Sequence, residues 1–78
     1  MLKNIVNYVR NNEFYINIWK NKINIVNFKE IVIMEDEKIV IMADVGKVII
    51  RGRNLSINKL LENELLIMGV FCSIELGE

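Results

Sequence analysis

Apolar and polar side chains alternate along most of the chain with a period of two, the spacing of strands rather than of a helix. In residues 13–20, Phe14, Ile16 and Ile18 share one face, and Tyr15, Asn17 and Trp19 share the other. Asn21-Lys22 suits a tight turn, because Asn tolerates positive φ, and Ile23 and Ile25 mark the returning strand. Residues 30–34 and 38–43 are apolar runs on either side of the charged Glu35-Asp36-Glu37, which is a hairpin signal. Both runs are apolar on both faces, so both strands are expected to be covered on both sides. Asp44-Val45-Gly46 is the next turn, where Gly46 supplies a positive φ at no steric cost.

The stretch from Gly46 to Ile57 reads as a strand (Lys47-Val48-Ile49-Ile50-Arg51), a break at Gly52, and a second strand with Leu55 and Ile57 inward. Glu62-Asn63 turns the chain into residues 64–68. Gly69 breaks that run, and residues 70–76 close the pattern. About eight short strands follow, separated by turns at roughly 8–12-residue spacing. No connection is long enough for a parallel crossover, so the expected fold is all-β: a small antiparallel sandwich or meander. Residues 13–78 form one such domain. Residues 1–12 are an N-terminal arm or short helix. Leu2, Ile5, Val6 and Val9 have the spacing of a helical face, but Asn4, Asn7, Asn11 and Asn12 dilute it and leave a loose arm or a further strand open. Lys20, Lys22, Lys38, Lys47 and Lys59 are candidates for guarding exposed strand edges.

Composition narrows the function. At 78 residues the chain is one domain with a thin interior, yet 53% of its residues are apolar. The surplus points to a face for self-association or for a partner. Ten basic and ten acidic residues cancel, and no basic stripe tracks a phosphate backbone, so nucleic acid is not expected. The chain has no histidine, which removes the usual general base and metal ligand, and a single cysteine cannot build a thiolate site. No catalytic, metal or cofactor-binding residue is assigned, and no enzyme activity or small-molecule substrate is expected. Cys72 reads as a buried inert thiol. Glu35-Asp36-Glu37 lacks the ligand spacing of a calcium loop and reads as a solvated turn. The unpaired cysteine, the lack of a spanning run and an N-terminus without a secretory signal predict a cytoplasmic location. Heavy use of Ile, Asn and Lys points to a low-GC bacterial genome.

One polar cluster stands out. Arg51, Arg53 and Asn54 flank Gly52 and have the chemistry to bind a carboxylate on a partner or a lipid head group. The structural alternative is that Arg51 pairs across the sheet with Glu64 or Glu75. An apolar surplus lining a cavity, in a ligand- or lipid-binding β-barrel, is the alternative to an interaction module.

The segment Gly46-Lys47-Val48-Ile49-Ile50-Arg51-Gly52-Arg53-Asn54-Leu55-Ser56-Ile57 resembles the hallmark of the YabP/YqfC family of sporulation proteins. There a Gly-led strand enters a basic-Gly-x-Asn-Leu turn and a further strand. Glu64-Leu65-Leu66-Ile67-Met68-Gly69 and the closing strand through Ile74-Glu75 are similar to the family's final hairpin. The resemblance covers about residues 13 to 76 and carries Gly46, Arg51, Gly52, Asn54, Leu55 and Gly69 as motif positions with a structural role. It implies a small all-β domain acting in endospore formation in Firmicutes, closest to the YqfC branch, which is typically encoded beside a sporulation membrane protein. It also implies action in the mother cell, at a membrane through that partner, or in envelope assembly. Met68 and Phe71 depart from the family, where polar or acidic residues are commoner, and make Phe71 a candidate contact alongside Arg51 and Arg53.

Overall fold

A computed structural model describes residues 13–77, so the arm-or-helix expectation for residues 1–12 lies outside the described residues. Six strands follow one another: β1 (Tyr15–Ile18), β2 (Lys22–Val26), β3 (Glu30–Met34), β4 (Lys38–Ala43), β5 (Gly46–Leu60) and β6 (Glu64–Gly77). They form one antiparallel sheet in the order β1-β2-β6-β5-β4-β3. The all-β antiparallel class matches the sequence expectation, but the strand count falls from about eight to six. β5 and β6 run for 15 and 14 residues, each joining two segments that Gly52 and Gly69 seemed to divide.

These glycines do not end the strands; they bend them. The ladder between β5 and β6 slips at Arg51/Gly52, between Arg53 and Ser56, and again between Ile57 and Lys59. Each slip is a bulge, which adds a residue to one strand and sharpens the local twist. The long ribbon therefore has two arms. In one, residues 46–51 of β5 pair with β4 and with residues 73–77 of β6. In the other, residues 64–68 of β6 pair with β2 on one side, and 65–68 pair with β5 on the other.

The bend brings the inward faces of the two arms to a common core. Ile23 and Ile25 of β2 and Leu65 and Ile67 of β6 come from one arm. Ile39 and Ile41 of β4 and Val48 and Ile50 of β5 come from the other. Leu55 lies at the bend, and all nine belong to one cluster. Phe14, Ile16, Phe28, Ile31, Ile57, Phe71 and Ile74 pack around its margin. No charged or polar side chain is buried among the described residues.

The edges correct three expectations. β1 and β3 are the outermost strands, so the sheet is open and does not close as a barrel among the described residues. β4 is covered on both faces, with Ile39, Val40, Ile41 and Ala43 all buried, as its doubly apolar run predicts. β3 has the same kind of run but sits at an edge, with Val32 and Met34 exposed. The lysines proposed as edge guards do not stand on edge strands. Lys22 lies on β2, Lys38 on β4, Lys47 and Lys59 on β5, and Lys20 in the β1–β2 turn. Chain order hides this, because β3 and β1 become edges only when β5 and β6 take the centre.

Removing a buried side chain from the central strands should cost far more than trimming an edge. Ile67→Ala is expected to lower stability by about 2–5 kcal/mol, and Ile18→Ala by less than about 1 kcal/mol, in urea titrations followed by circular dichroism.

Candidate functional site

The family-like motif lies at the bend, and its glycines show why the bend exists. A Cβ on Gly52 would sit 2.0 Å from the carbonyl oxygen of Val70, so the backbone of β6 occupies the space of a side chain. Gly69 has φ +145°, and a Cβ there would meet the Asn54 carbonyl oxygen at 2.8 Å and the Leu55 Cα at 3.0 Å. Asn54 has φ 55°, a left-handed conformation that Asn tolerates better than most residues. On β5, Asn54 and Leu55 together oppose Gly69 on β6, which makes the bulge. Leu55 then turns inward and is buried in the core. Gly46, with φ 122°, closes the Asp44–Gly46 turn at the far end of β5.

Bulges leave backbone N–H groups without ladder partners, and a buried unpaired donor is costly. Two hairpin turns supply the acceptors. Gly52 N donates to the Glu37 carbonyl at 3.1 Å, and Leu55 N donates to the Asp36 carbonyl at 2.8 Å. On the other side, Gly69 N donates to the Asn21 carbonyl at 3.2 Å. The β3–β4 turn thus docks on β5, and the β1–β2 turn docks on β6, at neighbouring points of the same bend. Sequence reasoning took Glu35-Asp36-Glu37 for a solvated turn. Its side chains are exposed, but its carbonyl groups anchor the motif. Side-chain patterns carry no signal for a backbone acceptor.

Arg51 and Arg53 are both exposed, and Gly52 between them is buried. Arg51 Nε donates to Glu75 Oε2 at 3.2 Å, and Ser73 Oγ donates to the same oxygen at 3.3 Å. Of the two carboxylates suggested as partners for Arg51, Glu75 is the one used. Glu64 instead accepts from Asn24 Nδ2 at 3.1 Å. Arg53 makes no ion pair among the described residues. Phe71, a candidate contact, is half-buried and packs against the core cluster. Its neighbour Val70 is the exposed apolar residue there. Cys72, expected inside, is exposed. Ser73 opposes Arg51 and Phe71 opposes Gly52, so Cys72 is the extra residue of a bulge.

The sequence profile of the YabP family matches residues 12–78, which takes in every strand, the bend and both docked turns. The chain belongs to the YabP family. Membership in the YabP family marks the chain as a sporulation-associated protein. No curated protein and no solved structure matches it. The glycines and Asn54 of its motif set backbone geometry, Leu55 fills the core, and the two arginines face water. For this YabP family chain the motif is therefore chiefly a folding device, with Arg51 and Arg53 as its outward chemistry.

Three substitutions separate these roles. Gly52→Ala should destabilise by at least ~3 kcal/mol because the Val70 carbonyl cannot retreat without breaking the ladder, whereas Gly77→Ala, whose Cβ would meet nothing nearer than 4.0 Å, should stay within about 0.5 kcal/mol. Thermal melts of the two variants measure this. Glu75→Gln removes the exposed Arg51 ion pair and should cost no more than about 1 kcal/mol, since exposed ion pairs contribute little; chemical denaturation at low and high salt checks it.

Proposed function

We propose that the chain is a non-enzymatic assembly module of endospore formation, of the YqfC-like branch, that works by self-association or by binding a sporulation membrane protein in the mother cell. The observation that carries this reading is where its apolar surface lies. Tyr15 and Ile18 on edge strand β1 and Val32 and Met34 on edge strand β3 are exposed. Neither edge strand carries a lysine or proline of its own, the usual guards against pairing with another chain. Trp19 and Val70 add apolar surface beside the bend, and Leu60, Leu61 and Leu76 add more at the outer ends of the ribbon. An interface built on such surfaces needs no catalytic group. A cytoplasmic location, with membrane contact made through the partner, fits a chain with an unpaired cysteine, as a reducing compartment allows.

Light scattering coupled to size exclusion tests the first half of the proposal. A mass of at least two chains is the expected result. For the second half, the protein immobilised and exposed to detergent extracts of sporulating cells should retain the membrane protein encoded beside its gene. A clean monomer that retains nothing overturns the proposal.

A further inference from the structure

Four strand edges lie open among the described residues. Two belong to the outermost strands, β1 and β3. The others are residues 56–60 of β5 and 70–77 of β6, which pair only with each other's strand in the central ribbon. Three of these edges carry features that discourage a further strand. A bulge breaks β3 between Ile31 and Ile33. Residues 56–60 hold a bulge at Asn58 and the charged Lys59. Residues 70–77 hold the bulge at Cys72 and the charged Glu75. β1 has none of these. Its four residues, Tyr15-Ile16-Asn17-Ile18, carry no charge and pair with β2 without a slip. Trp19 N donates to the Lys22 carbonyl at 2.9 Å, which makes that pair hydrogen-bonded and fixes the alternation along the hairpin. Asn17 and Tyr15 therefore turn their amide and carbonyl groups toward β2. Ile16 and Ile18 turn theirs outward, to the free edge.

This edge also has the same order of side chains in both directions. Isoleucines flank Asn17 at positions 16 and 18, and aromatic residues flank those as Tyr15 and Trp19. Ile18 stands opposite the buried Ile23, on the core side, yet is exposed. Trp19 lies on the other face with Lys22, whose Nζ is 4.8 Å from the centre of its ring. An antiparallel pair of identical strands sets each residue against the one equally far beyond the centre, so a strand with mirrored order meets its own kind throughout. We propose that β1 is the docking edge of this chain and that its occupant is β1 of a second copy, antiparallel, with the two Asn17 residues facing each other on a two-fold axis. Ile16 and Ile18 of opposite copies then form the hydrogen-bonded pairs on the core side. Tyr15 and Trp19 of opposite copies pair on the outer face. The exposed Tyr15, Ile18 and Trp19 each gain an apolar cross-strand partner, and the two-fold axis makes every contact occur twice. A foreign strand would also satisfy the free backbone groups, but it need not mirror this order. A register slid by two residues sets Trp19 against Glu13 and loses the match. The inference rests on the self-association proposed above and specifies its edge and register.

Substitutions at the axis test it. Asn17 is exposed, so Asn17→Lys and Asn17→Glu should both melt near the wild-type temperature. Each sets like charges face to face, and analytical ultracentrifugation should show each associating at least about tenfold more weakly than wild type. An equimolar mixture of the two sets opposite charges face to face and should recover the association. Asn17→Cys, made together with Cys72→Ser so that the chain keeps one thiol, should oxidise to a disulfide-linked dimer, whereas Lys47→Cys on the same background should not. If wild type stays monomeric, both this geometry and the self-association fall. If wild type associates and the two charged variants associate equally tightly, another surface holds the copies together and β1 is not the docking edge. If the charged variants weaken but their mixture does not recover and Asn17→Cys stays unlinked, the occupant is not β1 of a second copy.

Discussion

At Gly52 the backbone of β5 lies so close to the Val70 carbonyl of β6 that a side chain has no room. That contact creases a ribbon that would otherwise run straight. The crease is what allows a thin chain to have an interior. A flat six-stranded sheet would leave Ile23, Ile25, Ile39, Ile41, Val48, Ile50, Leu65 and Ile67 with one side in water, and all eight are fully buried instead. Full burial of such a side chain contributes about 1.5–3 kcal/mol, so the core outweighs the strain of two left-handed positions and three breaks in the ladder.

The crease in turn needs its loose hydrogen bonds satisfied, and two hairpins do this in parallel fashion. Each presents a turn carbonyl to a bulged strand, and each then begins a strand with Lys-Ile-x-Ile: Lys22-Ile23-Asn24-Ile25 and Lys38-Ile39-Val40-Ile41. In both strands the two isoleucines point to the core. The likeness is short, yet it places the two hairpins in equivalent positions on opposite sides of the ribbon. The difference between them lies in the turn side chains, basic on one side and acidic on the other. Folding and surface chemistry are thus divided between backbone and side chains of the same residues.

Much of this was legible in the sequence. Alternation identified every strand segment; Leu55 and Ile57 came out inward as expected, and Ile23 and Ile25 share one face, which is buried, whereas Ile18, expected on one face with Phe14 and Ile16, is exposed. The Arg51–Glu75 pair follows from the general rule that cross-strand charges meet. What stayed hidden was long-range. Glycine within a strand pattern can end a strand or bend it, and local pattern does not distinguish the two. Edge positions depend on strand order, so β3 looked like a central strand and the lysines looked like guards. Cys72 was misplaced for a similar reason. A bulge shifts the alternation by one, and the residue that the period puts inside emerges outside. The docking role of residues 35–37 belongs to carbonyl groups that every residue possesses, so no side chain announces it.

The strand order also governs when the chain can fold. β2 meets no strand but its hairpin partner β1 until β6 exists, and Asn24 and Glu64, which bond across that seam, are 40 residues apart. At roughly 5–20 residues per second of synthesis, the earlier hairpins wait about 2–8 s as nascent ribbon, with Ile23, Ile25, Ile39 and Ile41 uncovered. Isolated hairpins are marginal in water, so the β1–β2 hairpin and the β3–β4–β5 strands stay unjoined until β6 comes between them. A chaperone at the exit tunnel would meet its stickiest form then, before any spore structure is within reach.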